Sequence, residues 1–149
     1  MKRILFWTLA VIITVASAAY QRMTGPTYPM SGKALVGSET IRFRLPRSAE
    51  NVRDCEISIK VMNPSVTGYA SYKRFKTEDS WTRVQFERKG ETLAASLPKQ
   101  PAAGKLAYRV FLGAGNQETS ITGQDPVIIR FKGPVPTAVI IPHVIFVFL

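Results

Sequence analysis

The sequence predicts an all-β domain of two packed sheets, carried between an N-terminal apolar helix and a C-terminal apolar segment. Three observations predict it. Six runs alternate apolar and polar residues with a period of two, the period of a half-buried strand. Glycine- and proline-rich turn signals separate those runs, and no stretch between them has helical periodicity. The two ends of the chain are built differently: Ile4 to Tyr20 and Gly133 to Leu149 carry no Asp, Glu, Lys or Arg. All 10 acidic residues of the 149 lie in the block between them.

The first element, "MKRILFWTLAVIITVASAAYQR", has two basic residues, an apolar run and then small residues. That is the outline of an export signal, and Ala16-Ser17-Ala18 fits the small-x-small cleavage pattern. Ile4 to Tyr20 as a helix is about 25 Å long at ~1.5 Å per residue. It sits at the short end of what a bilayer core requires. Trp7 and Tyr20 stand where interfacial anchors belong. We read residues 1–22 as a transmembrane anchor or signal sequence. Either one sends the β-domain out of the cytoplasm, because Lys2 and Arg3 stay inside.

Residues 23–32, "MTGPTYPMSG", are too rich in Pro and Gly for a helix and read as a stalk. Residues 33–132 form the β-domain. Ile41, Phe43 and Leu45 alternate with Arg42 and Arg44, and Ile57, Ile59 and Val61 with Ser58 and Lys60. Val84 and Phe86 form a third run, Leu93, Ala95 and Leu97 a fourth, Leu106 to Leu112 a fifth, and Val127, Ile129 and Phe131 a sixth. "KALVG", "YASYKRF" and "QETSIT" are weaker strand signals. Each run has one apolar and one wet face, so two sheets must pack face to face. The turn signals are "NPSVTG", "RKGE", "PKQPAAG", "GAGN" and "TGQDP". "GAGN" reads as a tight hairpin turn between Leu112 and Gln117. The tail "VPTAVIIPHVIFVFL" comes after a Gly-Pro break at which the alternation has stopped. As a helix, Val135 to Leu149 is about 22 Å long. Residues 133–149 are expected to begin a second transmembrane segment, interrupted by the end of the sequence.

"LPKQPAAGKLAYRV" runs from one strand through a Pro/Gly turn into another strand with Tyr108 near its start. It resembles the turn into strand F of immunoglobulin-like and fibronectin type III domains, where a tyrosine packs over the corner. The resemblance covers roughly residues 31 to 132. It implies a cysteine-free, fibronectin-like β-sandwich with Tyr108 as the structural corner, since no Cys…Trp…Cys framework is present. The whole chain resembles bacterial membrane proteins in which such a sandwich is held between spans.

Residue chemistry argues against catalysis. The single His143 lies in the apolar tail beside Pro142, so no histidine base can serve a nucleophile in the domain. The single Cys55 has no partner for a disulfide or a metal set and reads as a small strand residue. Asp54 with Glu56 and Glu78 with Asp79 are the paired carboxylates. Each pair reads as solvated or matched to neighbouring cations rather than as an acid–base couple. No calcium loop or phosphate cradle is present, and no cofactor is expected.

The formal net charge is +10, and residues 23–134 carry 17 Lys and Arg against the 10 acids. No zinc-finger spacing, RNP-type motif or recognition helix accompanies that charge, so nucleic acid is not an expected partner. The densest basic cluster, Lys73, Arg74 and Lys76 in "YKRFKTE", is a candidate contact with the membrane surface. The sequence therefore predicts a non-catalytic, membrane-tethered, extracytoplasmic β-sandwich, an interaction or structural module of a longer multi-span protein. Its expected place is a bacterial inner membrane, with the sandwich in the periplasm. Its expected partners are the lipid bilayer, anionic head groups and another membrane or envelope protein. One alternative is a secreted or surface adhesion-type sandwich with a cleaved signal peptide. Another is the non-catalytic part of an enzyme or transporter whose active part lies elsewhere.

Overall fold

The computed structural model describes residues 2–115 and 117–148. Strands hold 45% of the chain and helices 23%, so the protein is mostly β with an N-terminal apolar helix. Helix α1 spans Lys2–Thr24. Its 23 residues give about 34 Å of helix, long and apolar enough to cross a membrane. No residue of that helix is buried against the β-domain. The hydroxyls of Thr8, Thr14 and Thr24 each donate to the carbonyl one turn back, at 2.9, 2.9 and 2.8 Å. This back-bonding satisfies the threonine hydroxyl protons within the helix itself.

Helix α1 runs through Arg22, Met23 and Thr24, and the first strand begins at Met30. The stalk expected over residues 23–32 is thus confined to Gly25–Pro29. Alanine, glutamine, arginine and methionine all favour helix, so the helix propagates past the end of the apolar run until Gly25-Pro26 stops it.

The strands are β1 (Met30–Val36), β2 (Glu39–Leu45), β3 (Ser48–Glu50), β4 (Cys55–Lys60), β5 (Val66–Arg74), β6 (Thr82–Gln85), β7 (Glu87–Lys89), β8 (Thr92–Leu97), β9 (Lys105–Ala114), β10 (Gln117–Ser120) and β11 (Val127–Lys132). They pair as a hairpin β1-β2, a three-stranded sheet β4-β8-β7, and a larger sheet ordered β3-β11-β9-β5-β6 with β10 also on β9. Helix α2 (Thr137–Phe148) comes last.

The apolar positions of the alternating runs meet in one core. Ile41 and Leu45 of β2, Ile57 and Ile59 of β4, and Leu97 of β8 pack in the same cluster as Val110, Leu112, Ile129 and Phe131 from the larger sheet. Strand β9 is central, with β5 on one side and β11 on the other.

Four details bear on the sequence pattern, each for a local reason. The run through Val84 and Phe86 is two strands, because the chain changes sheets at Phe86. The Phe86 N–H still donates to Gly68 of β5 at 2.9 Å, and Glu87 already pairs with Ala94 of β8. The turn signal "NPSVTG" is turn only in its first half, since Val66 and Gly68 belong to β5. A Cβ on Gly68 would collide with the Phe111 carbonyl oxygen, so glycine there permits close pairing with β9. Strand β3 has no alternation and no signal in the sequence. Its three residues pair parallel with the end of β11. In "GAGN", Gln117 pairs with Ala114 and Gly115 has φ +62°, as a two-residue hairpin turn requires. Asn116 lies outside the described residues.

Candidate functional site

The register sorts the domain into two ends. Met30 opposes Leu45, Arg74 opposes Leu106, and Arg130 opposes Lys105. The Tyr108 hydroxyl donates to the Pro46 carbonyl at 2.7 Å, and the Arg130 N–H to the Arg47 carbonyl at 3.1 Å. The start of β1 and the end of β11 therefore lie at one end of the domain, and both apolar helices leave from it. We call it the helix end. The distal end carries the β1–β2 turn and the turn from Val61 to Ser65.

Lys73, Arg74 and Lys76 fall at the helix end, where the Phe75 N–H donates to the Lys105 carbonyl at 3.0 Å. They are not three equivalent charges. Arg74 makes a two-pronged contact with Asp79, Nε to Oδ2 at 2.6 Å and Nη2 to Oδ1 at 2.9 Å. That contact holds the Asp79 carboxyl down to about 2 and raises the Arg74 guanidinium. Lys73 donates to the Thr77 carbonyl at 3.3 Å and lies 5.6 Å from the Trp81 ring centroid. Lys76 has φ +59° in the tight turn and stands over Phe75 at 5.6 Å. Lys105 reaches the same ring, also at 5.6 Å. The turn thus presents Lys76 and Lys105 on an aromatic base, with Arg74 already matched.

A second basic feature escapes the sequence pattern because its parts are far apart in the chain. Arg22 from the last turn of α1, Thr27 and Tyr28 from the connection, Arg44 from β2, Ser48 from β3 and Lys132 from β11 line a cleft of about 340 Å³. Arg44 stands 6.0 Å over the Tyr28 ring, within cation–π range. No acidic side chain lines the cleft among the described residues.

Tyr108 is fully buried. Its hydroxyl bonds across the sequence to Pro46, where the chain passes from β2 to β3, rather than to backbone a few residues upstream. Burial pushes the hydroxyl well above the ordinary tyrosine range, so it stays a neutral donor.

Another cleft, of about 580 Å³, lies beside β3, β4 and β8 and is lined by Glu50, Arg53, Asp54, Cys55, Glu56 and Ser96. Asp54 and Glu56 in it are engaged in structure. Asp54 accepts from the Lys99 N–H at 3.0 Å, and Glu56 pairs with Lys89 at 3.2 Å. Burial raises the Cys55 thiol, with Arg53 opposing only in part. A protonated thiol is a weak nucleophile. Glu78 lies in the β5–β6 turn, where its neighbour Asp79 is taken by Arg74. His143 is exposed in α2, directly after Pro142.

The outer face of the larger sheet is aromatic and cationic. Tyr69 and Phe111 stack at 4.9 Å, Arg83 covers Tyr69 at 3.4 Å, and Arg109 lies 5.0 Å from Trp81. Those cations are spent on rings of the same face. No family model matches the chain, and a search of curated proteins returns no match.

Proposed function

We propose that the protein is a non-catalytic, membrane-tethered β-sandwich of immunoglobulin or fibronectin type III type, held outside the cytoplasm close to a bilayer. The carrying observation is that both apolar helices leave the same end of the β-domain. Helix α1 is apolar and exposed on every side, with Ile4 and Trp7 each more than two-thirds exposed. Such a surface needs a non-aqueous environment. A domain joined to both helices by only a few residues stays at the membrane surface with one end turned towards it.

The strand order supports the sandwich type. Strands β4-β8-β7 match the order B-E-D, and β11-β9-β5-β6 the order G-F-C-C′, of that fold. The aromatic and arginine-rich outer face of β6, β5 and β9 has the composition of protein-binding surfaces and suits another envelope protein. Of the basic cluster, Lys73 and Lys76 supply charge at the membrane-facing end, while Arg74 is matched by Asp79. The inner membrane of a bacterium, with the sandwich in the periplasm, is the proposed location.

Alkaline carbonate extraction combined with protease digestion of spheroplasts tests this. The proposal expects the chain in the membrane pellet and its β-domain cut by externally added protease. Release into the supernatant would return the protein to the class of secreted modules. A pelleted but protected domain would invert the topology.

A further inference from the structure

We propose that the cleft between the α1–β1 connection and the sheet edge binds the phosphate of an anionic phospholipid from the membrane that α1 enters. The inference rests on the membrane-tethered reading and adds a specific site to it. Arg22, Arg44 and Lys132 arrive from three separate elements, with the hydroxyl-bearing Thr27 and Ser48 between them. Among the described residues, none of the three cations makes an ion pair. Arginine presents a planar fork that matches phosphate oxygens, and lysine adds a compact charge.

Depth singles out a lipid. Arg22 stands two residues beyond the apolar run of α1, and Lys132 precedes α2 by five. Both lie where a chain emerging from hydrocarbon meets the head groups. Tyr28, 40% exposed under Arg44, offers the amphipathic ring favoured at that level. The cleft opens where lipid phosphates would stand, and a bound lipid would join α1, β2, β3 and β11 at one point.

The test uses the full chain in detergent, with phosphatidylglycerol and phosphatidylcholine of identical acyl chains added together. Native mass spectrometry reads the lipids retained. The wild type is expected to retain phosphatidylglycerol over phosphatidylcholine by at least about fivefold, the gain that one cation near a head group supplies. The variant Arg22→Gln/Arg44→Gln/Lys132→Gln loses the preference. The variant Lys33→Gln/Arg42→Gln/Lys60→Gln, which removes the same charge elsewhere on the domain, keeps it. Equal retention of the two lipids by the wild type, or equal loss in both variants, overturns the site. Complete displacement of the lipid by excess inorganic phosphate marks a pocket for soluble anions and overturns it too. A chain that stays in the carbonate pellet without the lipid preference removes the site alone. A chain that leaves the pellet removes the membrane reading beneath it.

Discussion

The two ends of the β-domain carry the same kinds of charged residue and use them in opposite ways. At the distal end the charges are consumed in folding. Glu39 accepts from the N–H groups of Met62 and Asn63 at 3.2 and 3.1 Å. Arg88 donates to the carbonyls of Val61, Asn63 and Val66 at 3.2, 3.1 and 2.6 Å. The turn before β5 is gripped from both sides, and Lys60 pairs with Glu91 beside it. At the helix end the fastening is done by a neutral group, the buried Tyr108 hydroxyl on Pro46. Arg22, Arg44, Lys105 and Lys132 there make no ion pair among the described residues. Charge that the fold does not need, gathered on one end, is charge left for something outside the fold.

Substitutions can break or sharpen that contrast. The largest effect is expected from Tyr108→Ala, which empties a buried ring site and frees the Pro46 carbonyl. It should cost about 3–5 kcal/mol in urea unfolding of the full chain in detergent. Tyr108→Phe, which removes only the hydroxyl, should cost about 1–3 kcal/mol. A loss below about 0.5 kcal/mol for Tyr108→Phe would show that the sheet crossing is pinned otherwise.

Next comes Arg88→Met, which leaves several turn carbonyls without their charged donor. About 2–3 kcal/mol is expected. The double variant Lys76→Gln/Lys105→Gln should fall within about 0.5 kcal/mol of wild type. Similar costs for Arg88→Met and the lysine pair would erase the distinction between the ends.

The smallest effect belongs to Arg74 and Asp79, the matched pair of the helix-end turn. The Asp79 carboxyl is held at about 2, below its ordinary 3.8, by Arg74. A depressed carboxylate stabilises the fold above its ordinary value and loses that contribution as pH falls through its folded value. The Arg74 Nε–H signal in NMR should therefore shift with a midpoint near pH 2, the folded value of its partner. It should not shift in Asp79→Asn. A midpoint near the ordinary 3.8 would mean that the pair is open in solution.

Much of the architecture is written in the period-two pattern. Ile57, Ile59, Leu106, Val110, Ile129 and Phe131 alternate in sequence and are buried in the core. Strand β3 is invisible there because its pairing with β11 depends on a partner about 80 residues away, not on its own composition. Strand β5 looks weak because its inward face carries Gly68, whose place is set by close approach to β9 rather than by bulk apolarity. The basic cluster at Lys73–Lys76 is legible as charge. Its internal neutralisation by Asp79 is not, since five residues of turn have to fold first. The cleft proposed for lipid is the least legible of all. Arg22, Arg44 and Lys132 are ordinary singly and meet only once α1, β2 and β11 converge.

The central claim, that the helix end faces the bilayer, is tested most directly by spin-label depth measurements on the full chain in liposomes. Single labels would be placed at Ala102→Cys, in the helix-end loop, and at Ser65→Cys, in the distal turn, both in a Cys55→Ser background. The label at 102 is expected to collide with membrane-partitioned oxygen, and the label at 65 with the aqueous nickel chelate. Equal exposure of the two labels to both quenchers, or the reverse order, would contradict it.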